Sequence, residues 1–132
     1  IVIGPGDIYT SVIPNLLVKG MKEALKKSKG KTVAICNLMT KWGETNDAPA
    51  SDMMRELLKY SGLKKFDYII CNTQKMDPKL VSAYAKEKKY PVVCDAKLKD
   101  CAKEVITGGF FWEVDIARHD SGKIAKVLAG LP

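Results

Sequence analysis

Histidine, arginine and paired cysteine motifs are scarce in this 132-residue chain. A single histidine, His119, leaves a zinc site of the usual His/Cys kind almost nothing to build on. The four cysteines, Cys36, Cys71, Cys94 and Cys101, include no Cys-x-x-Cys pair, which excludes the common zinc and dithiol motifs. Cys36, Cys71 and Cys94 each end an apolar run, so they read as small buried thiols of a reducing compartment. Arginine is represented only by Arg55 and Arg118 among 22 basic residues. Direct readers of nucleic acid depend on arginine for bidentate contacts, so nucleic acid is not expected as a partner. No apolar run approaches the ~18 residues that cross a bilayer, so no membrane insertion is expected; the unpaired thiols fit a cytoplasmic location.

What is present is enough for one folded unit. The chain is 46% hydrophobic and 28% charged, with a net charge of +7 and a mean hydropathy of -0.11. That balance excludes a disordered or collagen-like chain. The lysines are distributed along helical stretches (Lys22, Lys26, Lys29; Lys86, Lys88, Lys89) and read as a solvated surface with weak attraction for anionic metabolites. The chain opens on Ile1-Val2-Ile3, with neither Met nor a basic leader. This reads as a strand entered mid-chain, and a fragment of a larger protein is expected.

Hydrophobic periodicity alternates between strand and helix. Ile1–Ile3 is a short strand, followed by the turn Gly4-Pro5-Gly6-Asp7. Ile13, Leu16, Leu17, Met21, Ala24 and Leu25 form one amphipathic helical stripe, with Ser11 as its N-cap and Pro14 in its first turn. Thr32–Cys36 is the next strand, and a long polar loop leads to a helix capped by Ser51, with Met53, Met54, Leu57 and Leu58 inward. Tyr68–Cys71 follows as a strand, then a helix announced by Asp77-Pro78 with Leu80, Val81, Tyr84 and Ala85 on its apolar side. Pro91–Cys94 is expected as a fourth strand, followed by a short helix around Leu98 and Cys101 and a weak strand at Val105–Ile106. The last helix begins near Asp120. Such an order predicts an α/β fold with a Rossmann-like parallel sheet flanked by helices, part of a larger doubly wound domain.

Three of these strands end alike, at Asn37, Asn72 and Asp95. Ligands of open parallel sheets sit outside the carboxyl ends of strands, at a switch in strand order, although Asn and Asp are also turn formers. Gly4-Pro5-Gly6 between strand and helix would let an anion approach helix N–H groups, with Thr10 and Ser11 adding hydroxyls. Asp7 there either caps backbone N–H groups or contacts a magnesium ion. In the long loop, Trp42 either stacks on a base or sugar or covers a core edge, while Glu44 and Asp52 are candidate acid–base carboxylates or merely solvated ones. Spacing alone places Tyr84 in the core and makes Arg118-His119-Asp120 a helix-capping segment.

Gly4-Pro5-Gly6-Asp7-Ile8-Tyr9-Thr10-Ser11 continuing to Pro14-Asn15-Leu16-Leu17 closely resembles the first hallmark of the YvcK branch of the YvcK/CofD family. Cys36-Asn37-Leu38-Met39-Thr40, Gly43-Glu44-Thr45 and Ala50-Ser51-Asp52 resemble its second. Tyr84-Ala85, Pro91-Val92-Val93 and Arg118-His119-Asp120 match later motifs in order. The resemblance implies a UDP-sugar-binding regulatory protein, acting in growth on gluconeogenic carbon sources, cell shape and peptidoglycan regulation. The CofD branch implies the alternative, transfer of a phospho-lactyl type group to a deazaflavin precursor with magnesium. It further implies that Tyr84 and Arg118 hold the UDP-sugar, reversing the reading by spacing. The ligand-binding expectation is thus Gly4, Gly6, Asp7, Tyr9, Thr10, Ser11, Asn37, Thr40, Tyr84 and Arg118, with Asp7 as the contact for any Mg2+. The expected partner is a UDP-sugar or other phosphorylated small molecule, and a homo-oligomer is left open. Two departures stand out: Met53 occupies a position that is usually histidine, and the family's Gly-Gly-Gly-Thr-Gly and Asp-Asp-Gly-Gly segments are absent.

Overall fold

The computed structural model describes residues 1–113 and 116–132. Strands β1 (Val2–Ile3), β2 (Val33–Ile35), β3 (Phe66–Asn72) and β4 (Ala102–Gly108) form one sheet in the order β1-β2-β3-β4. Every neighbouring pair is parallel, with Ile3 beside Ala34, Ile35 beside Ile70 and Asn72 beside Gly108. Parallel pairing needs a crossover between strands, and the intervening helices supply it. They are α1 (Ile13–Leu16) and α2 (Met21–Lys27), then α3 (Ala50–Ser61), then α4 (Pro78–Ala85) with a 3-10 turn at Ala96–Asp100. The four carboxyl ends therefore emerge along one edge. Among the described strands the order never reverses, so the loops set the site at that edge, without a switch in strand order.

The sheet buries both faces, which is why its strands are apolar in runs. Ile3, Ala34, Ile69 and Cys71 pack under α1–α3 with Leu16, Leu25, Met53, Met54 and Leu57. Val33, Ile35, Tyr68 and Ile70 face the other way, onto Phe110 and α5 (Ser121–Ala129) through Ile124, Val127 and Leu128. No helix among the described residues is long and apolar enough to cross a membrane.

Several local expectations are corrected. The first helical stripe is not one helix. A π-helical segment, Ile8–Val12, runs into α1, and the chain breaks before α2, whose N-cap Gly20 sits at φ +86°. That left-handed backbone suits glycine and interrupts the helix. Leu17 lies in the break and is 64% exposed instead of facing inward. Ser11 caps nothing by its side chain; its N–H and that of Val12 both donate to the Asp7 carbonyl. Ser51 is not the cap of α3, which starts at Ala50, and the Ser51 N–H donates instead to Asp95 Oδ1 at 3.0 Å.

Pro91–Cys94 is not a sheet strand. Pro91 has no N–H, and the segment bonds outside the sheet: Val92 N–H donates to the Leu38 carbonyl and Val93 C=O accepts from the Ala50 N–H at the start of α3. The place beside β3 belongs to β4, whose weak periodicity reflects a sheet-edge position with several exposed residues. An antiparallel pair, β5 (Phe111–Glu113) and β6 (Ala117–His119), was not foreseen. It takes Arg118 and His119 out of the presumed capping segment, while Asp120 does cap α5 by accepting from Lys123 N–H at 2.9 Å.

The first turn of β3 is locked to β2 by Asp67. Its carboxylate accepts from Lys103 Nζ at 2.7 Å, and from Thr32 N–H and Oγ1 at 2.8 and 3.0 Å. These bonds hold its pKa at about 2, against an ordinary 3.8. The stabilisation is complete above pH 3.8 and is lost as pH falls through about 2. Asp67→Asn is expected to destabilise the fold by about 2 kcal/mol at neutral pH, with the difference from the parent vanishing in acid, as chemical denaturation across pH would read.

Candidate functional site

The site grows from the ends of β1 and β2. Asn37, just past β2, donates from Nδ2 to the Gly6 carbonyl at 2.8 Å and accepts the Gly6 N–H on Oδ1 at 3.4 Å. This pairing holds the Gly4–Asp7 turn against the strand end. A Cβ on Gly6 would meet Val12 Cγ2 at 3.2 Å, so the tight packing there favours glycine. Thr40 is buried and pairs with Tyr90 in both directions: its N–H donates to the Tyr90 carbonyl at 2.7 Å, and Oγ1 accepts from Tyr90 N–H at 2.9 Å. Asn72 accepts from Phe110 N–H at 2.8 Å and donates to the Gln74 carbonyl at 3.0 Å. Asp95, in the loop after Cys94, accepts the Ser51 N–H of α3, so Asn37, Asn72 and Asp95 all complete backbone hydrogen bonds. Their first duty is the turn.

These contacts frame a cavity of about 650 Å³. Gly6, Asp7, Asn37, Thr40, Tyr84 and Arg118 line it, together with Lys41, Lys89 and His119. Tyr84 projects from α4, and its hydroxyl accepts the Ala117 N–H at 3.0 Å, so its phenol braces β6 while its residue borders the cavity. Arg118 is exposed and makes no ion pair among the described residues. His119 is half-buried with Nε2 3.0 Å from the Cys36 carbonyl. A carbonyl only accepts, so Nε2 carries the proton and Nδ1 keeps its lone pair. Burial lowers the His119 pKa, and the Cys36 carbonyl opposes that only in part.

Gly4, Tyr9, Thr10 and Ser11 are not brought into this cavity. Tyr9 N–H and Thr10 Oγ1 donate to the Glu44 carboxylate at 3.2 and 2.8 Å, so an internal anion already occupies the start of the π-helical segment. Gly4 and Ser11 border a separate groove beside β1. Hydrogen bonds from Lys41, Thr10 and Tyr9 outweigh desolvation, the largest single influence, and pull the Glu44 pKa down. Lys41 pairs with Asp7 and lies 3.0 Å from Glu44, and the two carboxylates raise its pKa.

Asp7 is therefore neutralised by Lys41, and a magnesium ion there would have to displace that ammonium. Among the described residues no three or more His, Cys, Asp and Glu side chains gather as a metal site. The residues around Asp7 do not fit a protein-held Mg2+. Asp52 is likewise committed, to Arg55 on α3. Trp42 lies outside the cavity, 55% exposed, with Lys88 Nζ 4.1 Å from its ring centroid.

Sequence reasoning missed Lys41, Lys89 and His119 as lining residues. Lys41 at least sits within the loop singled out by its length, and His119 adjoins Arg118. Lys89 carries no signal, because it belongs to a run of surface lysines. A second cavity, of about 540 Å³, shares Asn37 and Leu38 with the first and continues along Asn72–Met76 and Pro91–Cys94. Burial, with Cys71 alongside, pushes the Cys94 thiol up to about 12, so it is no nucleophile at neutral pH.

Two outcomes are expected. The His119 imidazole should titrate below 6.5 in NMR spectra of the folded protein, and stability should fall as pH drops through that interval, because the unfolded chain takes up the proton first. Glu44→Ala should cost about 1 kcal/mol in denaturant melts, since the Tyr9 N–H, the Thr10 hydroxyl and Lys41 each lose a partner but can turn to water.

Comparison with known proteins now bears on this geometry. The family model described as 2-phospho-L-lactate transferase CofD matches residues 1–111. The chain is 42% identical to the gluconeogenesis factor of Halalkalibacterium halodurans, covering 100% of this chain and 42% of that protein. It is 38% identical to the gluconeogenesis factor of Bacillus subtilis, covering 99% of this chain and 42% of that protein. The crystal structure of protein BH3568 from Bacillus halodurans superposes with a TM-score of 0.93 at 40% identity, covering 98% of this chain and 42% of that one. The chain thus spans less than half the length of the relatives it matches. Agreement in family model, relatives and fold places it plainly: this chain belongs to the CofD family and is similar to its gluconeogenesis factors.

Proposed function

We propose that the cavity at the carboxyl edge binds a UDP-sugar of the UDP-N-acetylglucosamine type, in a cytoplasmic regulatory protein of carbon metabolism and cell-envelope morphogenesis. One observation carries this reading: Arg118, a cation without an ion-pair partner among the described residues, shares a cavity with Tyr84. A guanidinium pairs a phosphate through two parallel N–H bonds, and a phenol ring offers a face on which a pyrimidine stacks. The surrounding charge agrees, since Lys41, Lys89 and Arg118 outnumber Asp7 on the wall. A volume of about 650 Å³ suits a small ligand of that class. The gluconeogenesis factors it resembles support the place in carbon metabolism.

The second cavity favours an alternative. Two compartments sharing the wall Asn37-Leu38 suit a donor and an acceptor held side by side, as in transfer of a phospho-lactyl type group to a deazaflavin precursor. The Asp7–Lys41 ion pair weighs against it, because it occupies the one carboxylate on the wall that magnesium would use.

Calorimetry on the full-length protein with UDP-N-acetylglucosamine decides between them. Binding that Arg118→Ala weakens by about tenfold or more is expected. Absence of binding, or binding indifferent to Arg118→Ala, sinks the UDP-sugar reading, and turnover of a deazaflavin substrate would then favour the transferase.

A further inference from the structure

Opposite the Asn37 turn, two loop segments meet as a short antiparallel ribbon. Met39 bridges Pro91, with Val92 N–H donating to the Leu38 carbonyl and Thr40 N–H to the Tyr90 carbonyl. Beyond Thr40 and Tyr90 the pairing ends, because the Lys41 N–H turns to Thr45 Oγ1 and the Lys89 N–H to the Tyr84 carbonyl. The two segments stay close, with Lys88 Nζ 4.1 Å from the Trp42 ring centroid. Lys41, just after the paired residues, and Lys89, just before them, both line the cavity.

Two lysines, one from each segment, therefore share the cavity wall. Like charges gathered on one concave wall repel, so each has to be compensated. Each lysine here has a carboxylate partner to one side. Lys41 is held by Asp7 and Glu44, and Lys89 lies 2.6 Å from Glu87. Those partners differ in firmness. Glu44 is 11% exposed and bonded on both oxygens, while Glu87 is 65% exposed. An exposed pair of the latter kind yields readily to a competing anion.

We propose that Lys41 and Lys89 form a clamp for the diphosphate of the cavity's ligand, with Lys41 fixed in place and Lys89 exchanging Glu87 for the incoming anion. This rests on the reading of the cavity as a site for a nucleoside-diphosphate conjugate, and it adds the group that the two lysines recognise: a dianion that lies between the two segments and offsets their like charge. Arg118 lines the same cavity from β6.

Inorganic pyrophosphate is the probe, titrated calorimetrically into the full-length protein. Lys89→Gln is expected to weaken pyrophosphate binding by about tenfold, and Lys89→Arg to stay within about threefold of the parent. Lys88→Gln removes the same net charge from a residue outside the cavity lining and should change affinity by less than about twofold. Equal losses in Lys88→Gln and Lys89→Gln overturn the clamp in favour of general attraction, and no loss in either, or no binding of pyrophosphate, also overturns it. Unchanged thermal melting of Lys89→Gln shows that the fold is intact. Dependence of pyrophosphate on Lys89, with no binding of the UDP-sugar, keeps the clamp and removes the UDP-sugar reading. A UDP-sugar that depends on Arg118 but not on Lys89 does the reverse.

Discussion

Where a parallel strand ends, its backbone groups lose their ladder partners, and the rest of this structure depends on how they find new ones. Asn37 takes both polar groups of Gly6 and Asn72 ties Phe110 to Gln74, while Asp95, in a loop where a strand was expected, receives the first turn of α3. Orphaned buried amides are costly, so these short side chains are required before any ligand is considered. They also draw the loops after β1 and β2 together, which creates the cavity. The site is a by-product of closing the sheet edge well.

The same economy explains the segment that most resembles an anion cradle. The start of the π-helical segment offers free N–H groups beside a glycine turn, and the protein fills it with Glu44 from the following loop. Glu44 in turn anchors Lys41, and Lys41 neutralises Asp7. A negative charge that could have come from a ligand is built in. Its consequence is positional, because a lysine is fixed on the cavity wall and the loop that carries it is held to the first turn.

Electrostatically the cavity is unlike the general surface. Lysines elsewhere are scattered and solvated, whereas here Lys41, Lys89 and Arg118 converge from two loops and β6 on one concavity. Concave, partly desolvated walls concentrate such a field. The overall charge of +7 is a poor guide to this, since most of it points into solvent.

The sequence alone determined the class of fold. Alternating strand and helix periodicities, with apolar runs in β2 and β3, leave a parallel sheet buried on both faces as the arrangement that satisfies every strand. Asp77-Pro78 marked the start of α4, and the glycine-rich turn and the long loop marked the edge that matters. Resemblance supplied Tyr84 and Arg118, which spacing had assigned to core and cap. Tertiary structure alone decided that Pro91–Cys94 would bond outside the sheet, because only the folded chain shows that β4 already occupies the flank of β3. It also decided which polar residues serve the fold: Tyr9 and Thr10 went to Glu44, while Lys41 and Lys89 came to share one cavity wall. Periodicity reports which face of an element is buried, since that depends on neighbours a few residues away. Partners 34 or 50 positions apart, such as Thr10 with Glu44 or Tyr90 with Thr40, are set by how whole elements pack, and no local pattern records them.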